Sequence, residues 1–81
     1  MKRLLFALAL LLSWSFALAA VNINTATKEQ LDALPGIGPV LAARIIEWRT
    51  QHGRFGSVDE LTQVSGIGEA TFADLRDLVR V

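Results

Sequence analysis

Hydrophobic positions run unbroken from Leu4 to Leu12, alternate with polar ones through Val21-Asn22-Ile23-Asn24, and fall at spacings of three and four from Thr27 onward. The alternating stretch predicts an extended segment lying against helices, and the later spacing predicts the helices themselves. Thr27-Lys28-Glu29-Gln30 has the Thr-x-x-Gln form of a capping box, so helix one starts there and runs to about Ala33. Leu31 and Leu34 share one face of it, while Lys28, Glu29 and Asp32 face water. Pro39 suits the first position of helix two, which needs no N–H. That helix continues to about Thr50 and buries Leu41, Ala42, Ile45 and either Trp48 or Ile46. Gln51 to Gly56 interrupt the pattern as a linker, with Gly53 and Gly56 bracketing Arg54-Phe55. Ser57-Val58-Asp59-Glu60 repeats the capping box in Ser-x-x-Glu form and opens helix three. Helix four is expected from Glu69 to about Val79, with Phe72, Leu75, Leu78 and Val79 on its apolar face.

Between helices one and two stands Leu34-Pro35-Gly36-Ile37-Gly38, and between three and four the chain writes it again as Val64-Ser65-Gly66-Ile67-Gly68. A shift of 30 residues brings Leu31 onto Leu61, Leu34 onto Val64, the two Gly-Ile-Gly runs onto each other, and Ile45 onto Leu75. Each half is a helix, a tight hairpin and a helix, with an apolar face it cannot bury alone. Pairing the halves about a pseudo-twofold axis buries both faces. The expected fold is therefore all-α, a tandem helix-hairpin-helix domain. Glycine meets the positive φ and close backbone approach that such hairpins need. Ile37 and Ile67 are expected as apolar pins folded back onto the flanking helices.

Met1-Lys2-Arg3, the apolar run and Ala17-Leu18-Ala19 together have the form of a secretory signal peptide, residues 1–19, ahead of a domain at 20–81. Cleavage is expected between Ala19 and Ala20, with a cut before Val21 as second choice; an uncleaved membrane anchor is the competing reading. Localisation is accordingly periplasmic or secreted, or membrane-anchored if the segment stays. Much of the chain's apolar excess belongs to this segment. The remainder is one small domain with no cysteine to staple it. Its bases are Lys28, Arg44, Arg49, Arg54, Arg76 and Arg80 against the acids Glu29, Asp32, Glu47, Asp59, Glu60, Glu69, Asp74 and Asp77, a slightly acidic balance. A broad basic face for nucleic acid is thereby excluded, and any phosphate must be met by backbone amides and locally placed arginines.

The hairpins supply such amides. Unpaired N–H groups and the positive end of a helix dipole coincide at Gly38 and Gly68, an arrangement that suits an anion. The competing reading is that Gly-Ile-Gly is only the turn that lets two helices pack. Trp48, Phe55 and Phe72 read as packing residues rather than base-stacking platforms, and His52 reads as a solvated linker residue. Arg44, Arg49 and Arg54 are a phosphate-facing set or, equally, a solvated helix face. The single histidine lacks a partner and the acids are scattered, so no catalytic residue, metal ligand or cofactor is expected.

Nearly the whole of Val21 to Val81 resembles the competence protein ComEA family, secreted or membrane-anchored proteins of DNA uptake. The resemblance is carried by Val21-Asn22-Ile23-Asn24-Thr25-Ala26, by Leu-Pro-Gly-Ile-Gly-Pro at the first hairpin, by Gly53-x-Phe55-x-Ser57-Val58-x-Glu60-Leu61, and by Gly-Ile-Gly-Glu-x-Thr at the second. It implies binding of double-stranded DNA without base reading, outside the cytoplasmic membrane, beside envelope DNA-uptake proteins. The residues expected at the DNA are Gly36, Ile37, Gly38, Val40, Leu41 and Arg44 from the first half and Gly66, Ile67, Gly68, Glu69 and Ala70 from the second. Family hairpins often carry lysine shortly after the second glycine, where this chain has Leu41 and Ala70. Some helix-hairpin-helix proteins hold a monovalent cation on hairpin carbonyls, a feature without a residue signature. The alternative function is a protein-interaction or self-assembly module of an envelope machine, favoured by the acidic balance and the missing lysines.

Overall fold

In the computed structural model of this chain the described residues are 20–81. The signal-peptide reading of residues 1–19 lies outside them. The order of elements is β1 (Val21–Asn22), α1 (Lys28–Asp32), α2 (Gly38–His52), a 3-10 helix (Val58–Gln63), α3 (Glu69–Leu75) and β2 (Val79–Arg80). The fold is thus all-α in its body, with one small parallel strand pair joining its two ends.

Local chemistry starts α1 as the sequence predicts. Thr27 Oγ1 accepts from the Gln30 N–H at 3.2 Å and Gln30 Oε1 accepts from the Thr27 N–H at 3.0 Å, a complete capping box. The matching Ser57-x-x-Glu60 does not close in the same way. Ser57 makes no side-chain cap, and the Glu60 carboxylate takes the Gly56 N–H at 3.0 Å, one residue further back. The segment that follows is a 3-10 helix rather than an α-helix. Val58, Leu61 and Val64 recur every third residue, which places them on one edge at three residues per turn, and Leu61 and Val64 are buried.

The last helix also ends earlier than its apolar spacing suggests. After Leu75 the chain turns, Leu78 is 43% exposed, and Val79–Arg80 form β2. Val21 pairs with Val79 and Asn22 with Arg80 in parallel, and the Val21 N–H donates to Leu78 O at 2.8 Å and the Ile23 N–H to Arg80 O at 2.9 Å. A helix through Val79 would leave these edge groups of the amino-terminal segment unpaired; the ladder satisfies them.

The amino-terminal motif is a clamp. Asn22 Oδ1 accepts from the Asn24 N–H at 2.9 Å, holding a turn that brings Ile23 into the core. The Asn24 amide then takes both backbone groups of Phe55, accepting from its N–H at 2.6 Å and donating to its carbonyl at 3.1 Å. Arg49 donates to Ile23 O at 3.0 Å. Start, middle and linker are so tied across one side of the domain.

The core confirms the duplication. Leu31 and Leu61, Leu34 and Val64, Ile37 and Ile67, and Ile45 and Leu75 are all buried, and Phe55 and Ile23 are fully buried in the same core. No polar or charged residue among those described is buried. Burial of each such aliphatic side chain contributes about 1.5–3 kcal/mol, so a small domain rests on this paired set.

Candidate nucleic-acid interface

Each hairpin opens with the same four-residue turn. The Ile37 N–H donates to Leu34 O at 3.1 Å and the Ile67 N–H to Val64 O at 3.0 Å. Gly36 has φ 76° and Gly66 φ 95° at the third position of their turns, where type II geometry requires a positive φ. Pro35 precedes the first of these glycines and supplies the fixed φ favoured at the second position. The isoleucines are 5% and 3% exposed. They are the expected pins, and with side chain buried and N–H engaged they contribute to a surface site only by placing their neighbours.

The halves then pack reciprocally. A Cβ on Gly36 would stand 3.3 Å from Thr71 Cγ2 of α3. One on Gly66 would stand 2.6 Å from Leu41 Cδ2 and 2.9 Å from Arg44 Nη1 of α2. Thr71 is the residue 30 positions after Leu41, so each hairpin sits on the same turn of the other half's second helix. Leu41 is half-buried by this packing.

Beyond the pins the two hairpins diverge. Gly38 has φ 66° and leads through Pro39 into the 15-residue α2, whose first turn carries no acid. Gly68 is extended, with φ −89° and ψ −179°, and leads through Glu69 into the seven-residue α3. The N–H groups of Gly36, Gly38 and Val40 in the first hairpin find no acceptor among the described residues, and neither do those of Gly66, Gly68, Glu69 and Ala70 in the second. Gly36, Val40, Gly66, Gly68, Glu69 and Ala70 are exposed and Gly38 half-exposed; Val40 reaches 63%. Two sets of free donors therefore face solvent at two related helix starts.

The arginines do not assemble beside them as one group. Arg49 is committed to Ile23 O, and Arg54 stands on the linker. Arg44 alone lies at the hairpins, where its Nη1 donates to Ser65 O at 3.1 Å. It borders an open groove of about 370 Å³ lined also by Glu47, Trp48, Gln51, Gln63, Val64 and Ser65. Trp48 stacks on Phe55 at 4.2 Å and on His52 at 4.6 Å. Phe55 is buried and Trp48 half-buried, which places both in packing. His52 is exposed, yet its Nδ1 lies 3.1 Å from Trp48 O and its ring covers the indole, so it closes the end of α2 rather than standing free.

Sequence reasoning passed over Ser65, Thr71 and Asn24, which hold the hairpins and linker in place. The repeat offset pointed to Thr71 through Leu41; a backbone carbonyl such as that of Ser65 has no sequence signal. Among the described residues no group of three His, Cys, Asp or Glu is placed to hold a metal ion, and no helix is long and apolar enough to cross a membrane.

Two helix-hairpin-helix units, each with its hairpin packed on the other's second helix and offering free amides at a glycine turn, define the class. The chain belongs to the helix-hairpin-helix family, whose motif model matches residues 17–80. It is 46% identical over 63 residues to ComE operon protein 1 of Bacillus subtilis, which covers 78% of this chain and 31% of that protein. It is 42% identical over 60 residues to an uncharacterized protein of Haemophilus influenzae, 73% of this chain and 54% of that one. A human endonuclease/exonuclease/phosphatase family domain-containing protein 1 is 48% identical over 48 residues, 59% of this chain and 8% of its own length. The resemblance to the ComEA family holds at this level. The chain spans between about a third and about half the length of the first two relatives.

Proposed function

We propose that this protein binds double-stranded DNA through its phosphates, without reading bases, and takes part in DNA uptake during natural transformation. The observation that carries the reading is the pair of glycine hairpins with unsatisfied, solvent-facing N–H groups in a chain similar to a ComE operon protein. Two such donor sets on related faces suit the two strands of one duplex, because phosphate contacts position a protein without specifying sequence. Gly36, Gly38 and Val40 act on one side, Gly66, Gly68, Glu69 and Ala70 on the other, with Leu41 packed against the second hairpin at Gly66. Export by the segment 1–19 to the periplasm belongs to the same proposal, as do contacts with envelope uptake proteins. Binding, not catalysis, is the role: the free groups of the interface are amides, which hold an anion without moving a proton.

Fluorescence anisotropy of labelled random-sequence duplex tests it. Binding should be indifferent to sequence and weaken with salt, with only a shallow log–log slope because amides rather than lysines or arginines meet the phosphates. Val40→Glu together with Ala70→Glu places carboxylates at both donor sets on exposed positions, and should abolish binding while circular dichroism stays unchanged. Gly38→Glu is the poorer tool, since φ 66° strains any side chain there. A parent chain that fails to bind duplex at low salt sinks the proposal, and the hairpins are then scaffold for a protein partner.

A further inference from the structure

The pairs Leu31/Leu61, Leu34/Val64, Ile37/Ile67 and Ile45/Leu75 follow a 30-residue shift, and among the exposed positions that do not is a pair of opposite chemistry: Arg44 in α2 and Asp74 in α3. Arg44 Nη1 donates to the Ser65 carbonyl of the second hairpin at 3.1 Å. Asp74 has no N–H in its side chain to return the bond to the carbonyl of Pro35, the counterpart of Ser65. The contact between the halves is therefore latched in one direction only.

The half that receives the latch is the one that needs it. The first hairpin continues into the 15-residue α2, whose length and buried Ala42 and Ile45 hold it. The second lies between a 3-10 helix with no side-chain cap and a seven-residue α3 with none. Short helices of this kind have little stability of their own. Gly66 packs so closely on Leu41 and Arg44 that any Cβ would force both aside, so the guanidinium rests directly on the turn it holds.

Building on the DNA-binding reading, we propose that Arg44 is a positioning residue: it fixes the second hairpin against α2 so that both donor sets face one duplex together. This differs from a role as an independent phosphate cation. A guanidinium donating to a carbonyl forms a charge-assisted bond, stronger than a neutral one. Loss of that bond releases the second hairpin while leaving the first in place. One hairpin then grips where two gripped before, and the gain from simultaneous engagement is lost.

Two measurements on the full chain, in mild detergent, judge this. In the free protein, NMR-detected amide exchange compares parent with Arg44→Ala. The bonded amides of Ile67 and Phe72 in the second half should exchange about tenfold faster, while Ile37 in the first turn stays within about twofold. Unchanged exchange at Ile67 and Phe72 overturns the latch. Duplex anisotropy then compares Arg44→Ala, Ala70→Glu and the double variant. A positioning role predicts that the double variant binds no more weakly than Ala70→Glu, because both act through the second hairpin. Additive losses make Arg44 a separate phosphate contact and overturn the proposal. If the parent binds no duplex, the DNA reading fails, and the exchange result alone decides whether the latch exists.

Discussion

The first hairpin is built on chain-local stiffness and the second on contacts from the other half. Pro35 presets one turn and Pro39 the helix after it, and Gly38 at φ 66° makes the junction a glycine-only position. The second has serine and glutamate in those places, an extended Gly68, a short helix, and a guanidinium from α2 on its backbone. A duplicated motif can thus keep its pins and its burial while the two copies reach the same shape by different means. The lesson concerns function as well: related donor sets need not be equally rigid.

Three pairs of substitutions test that contrast, each read by urea or thermal unfolding. The largest single loss is expected in the turns. Gly66→Ala should cost about 2–3 kcal/mol, from φ 95° and contact with Leu41 and Arg44, whereas Gly36→Ala should cost about 1–2 kcal/mol at φ 76° with a looser 3.3 Å contact. Equal losses would mean that the second turn yields to the added methyl and is not held flush against α2. Next come the junction glycines. Gly38→Ser should lose about 1–2 kcal/mol, while Gly68→Ser should gain about 0.5 kcal/mol, since Gly68 has N-cap geometry and open space where a Cβ would go. Destabilisation by Gly68→Ser would break the comparison. The smallest effects belong to the caps: Thr27→Ala should cost about 1 kcal/mol and Ser57→Ala less than about 0.5, because only Thr27 closes a box.

Much of this was legible along the chain. The spacing of Leu31, Leu34 and Ile45 and their counterparts reported the core, because burial of an amphipathic face follows the helical period. The glycines and pins reported the hairpins, because few residues tolerate positive φ. Helix three misled because three-residue spacing fits both helix types over so short a run. Helix four misled because Leu75, Leu78 and Val79 fit a helical face as well as they fit a turn and a strand. Its true end depends on Val21, far away in sequence, offering backbone groups to pair.

At the candidate interface the division is similar. Residue order alone settled that there are two glycine hairpins, that each is pinned by an isoleucine, and that side-chain cations are scarce, since each is a property of local conformation or of composition. Tertiary structure decided which arginine reaches a hairpin, that Arg49 is spent on Ile23 O, and that Thr71 and Leu41 face the two turn glycines. Those outcomes depend on backbone carbonyls and on contacts between halves 30 residues apart. A carbonyl is the same at every residue, so only folding determines which one an arginine meets.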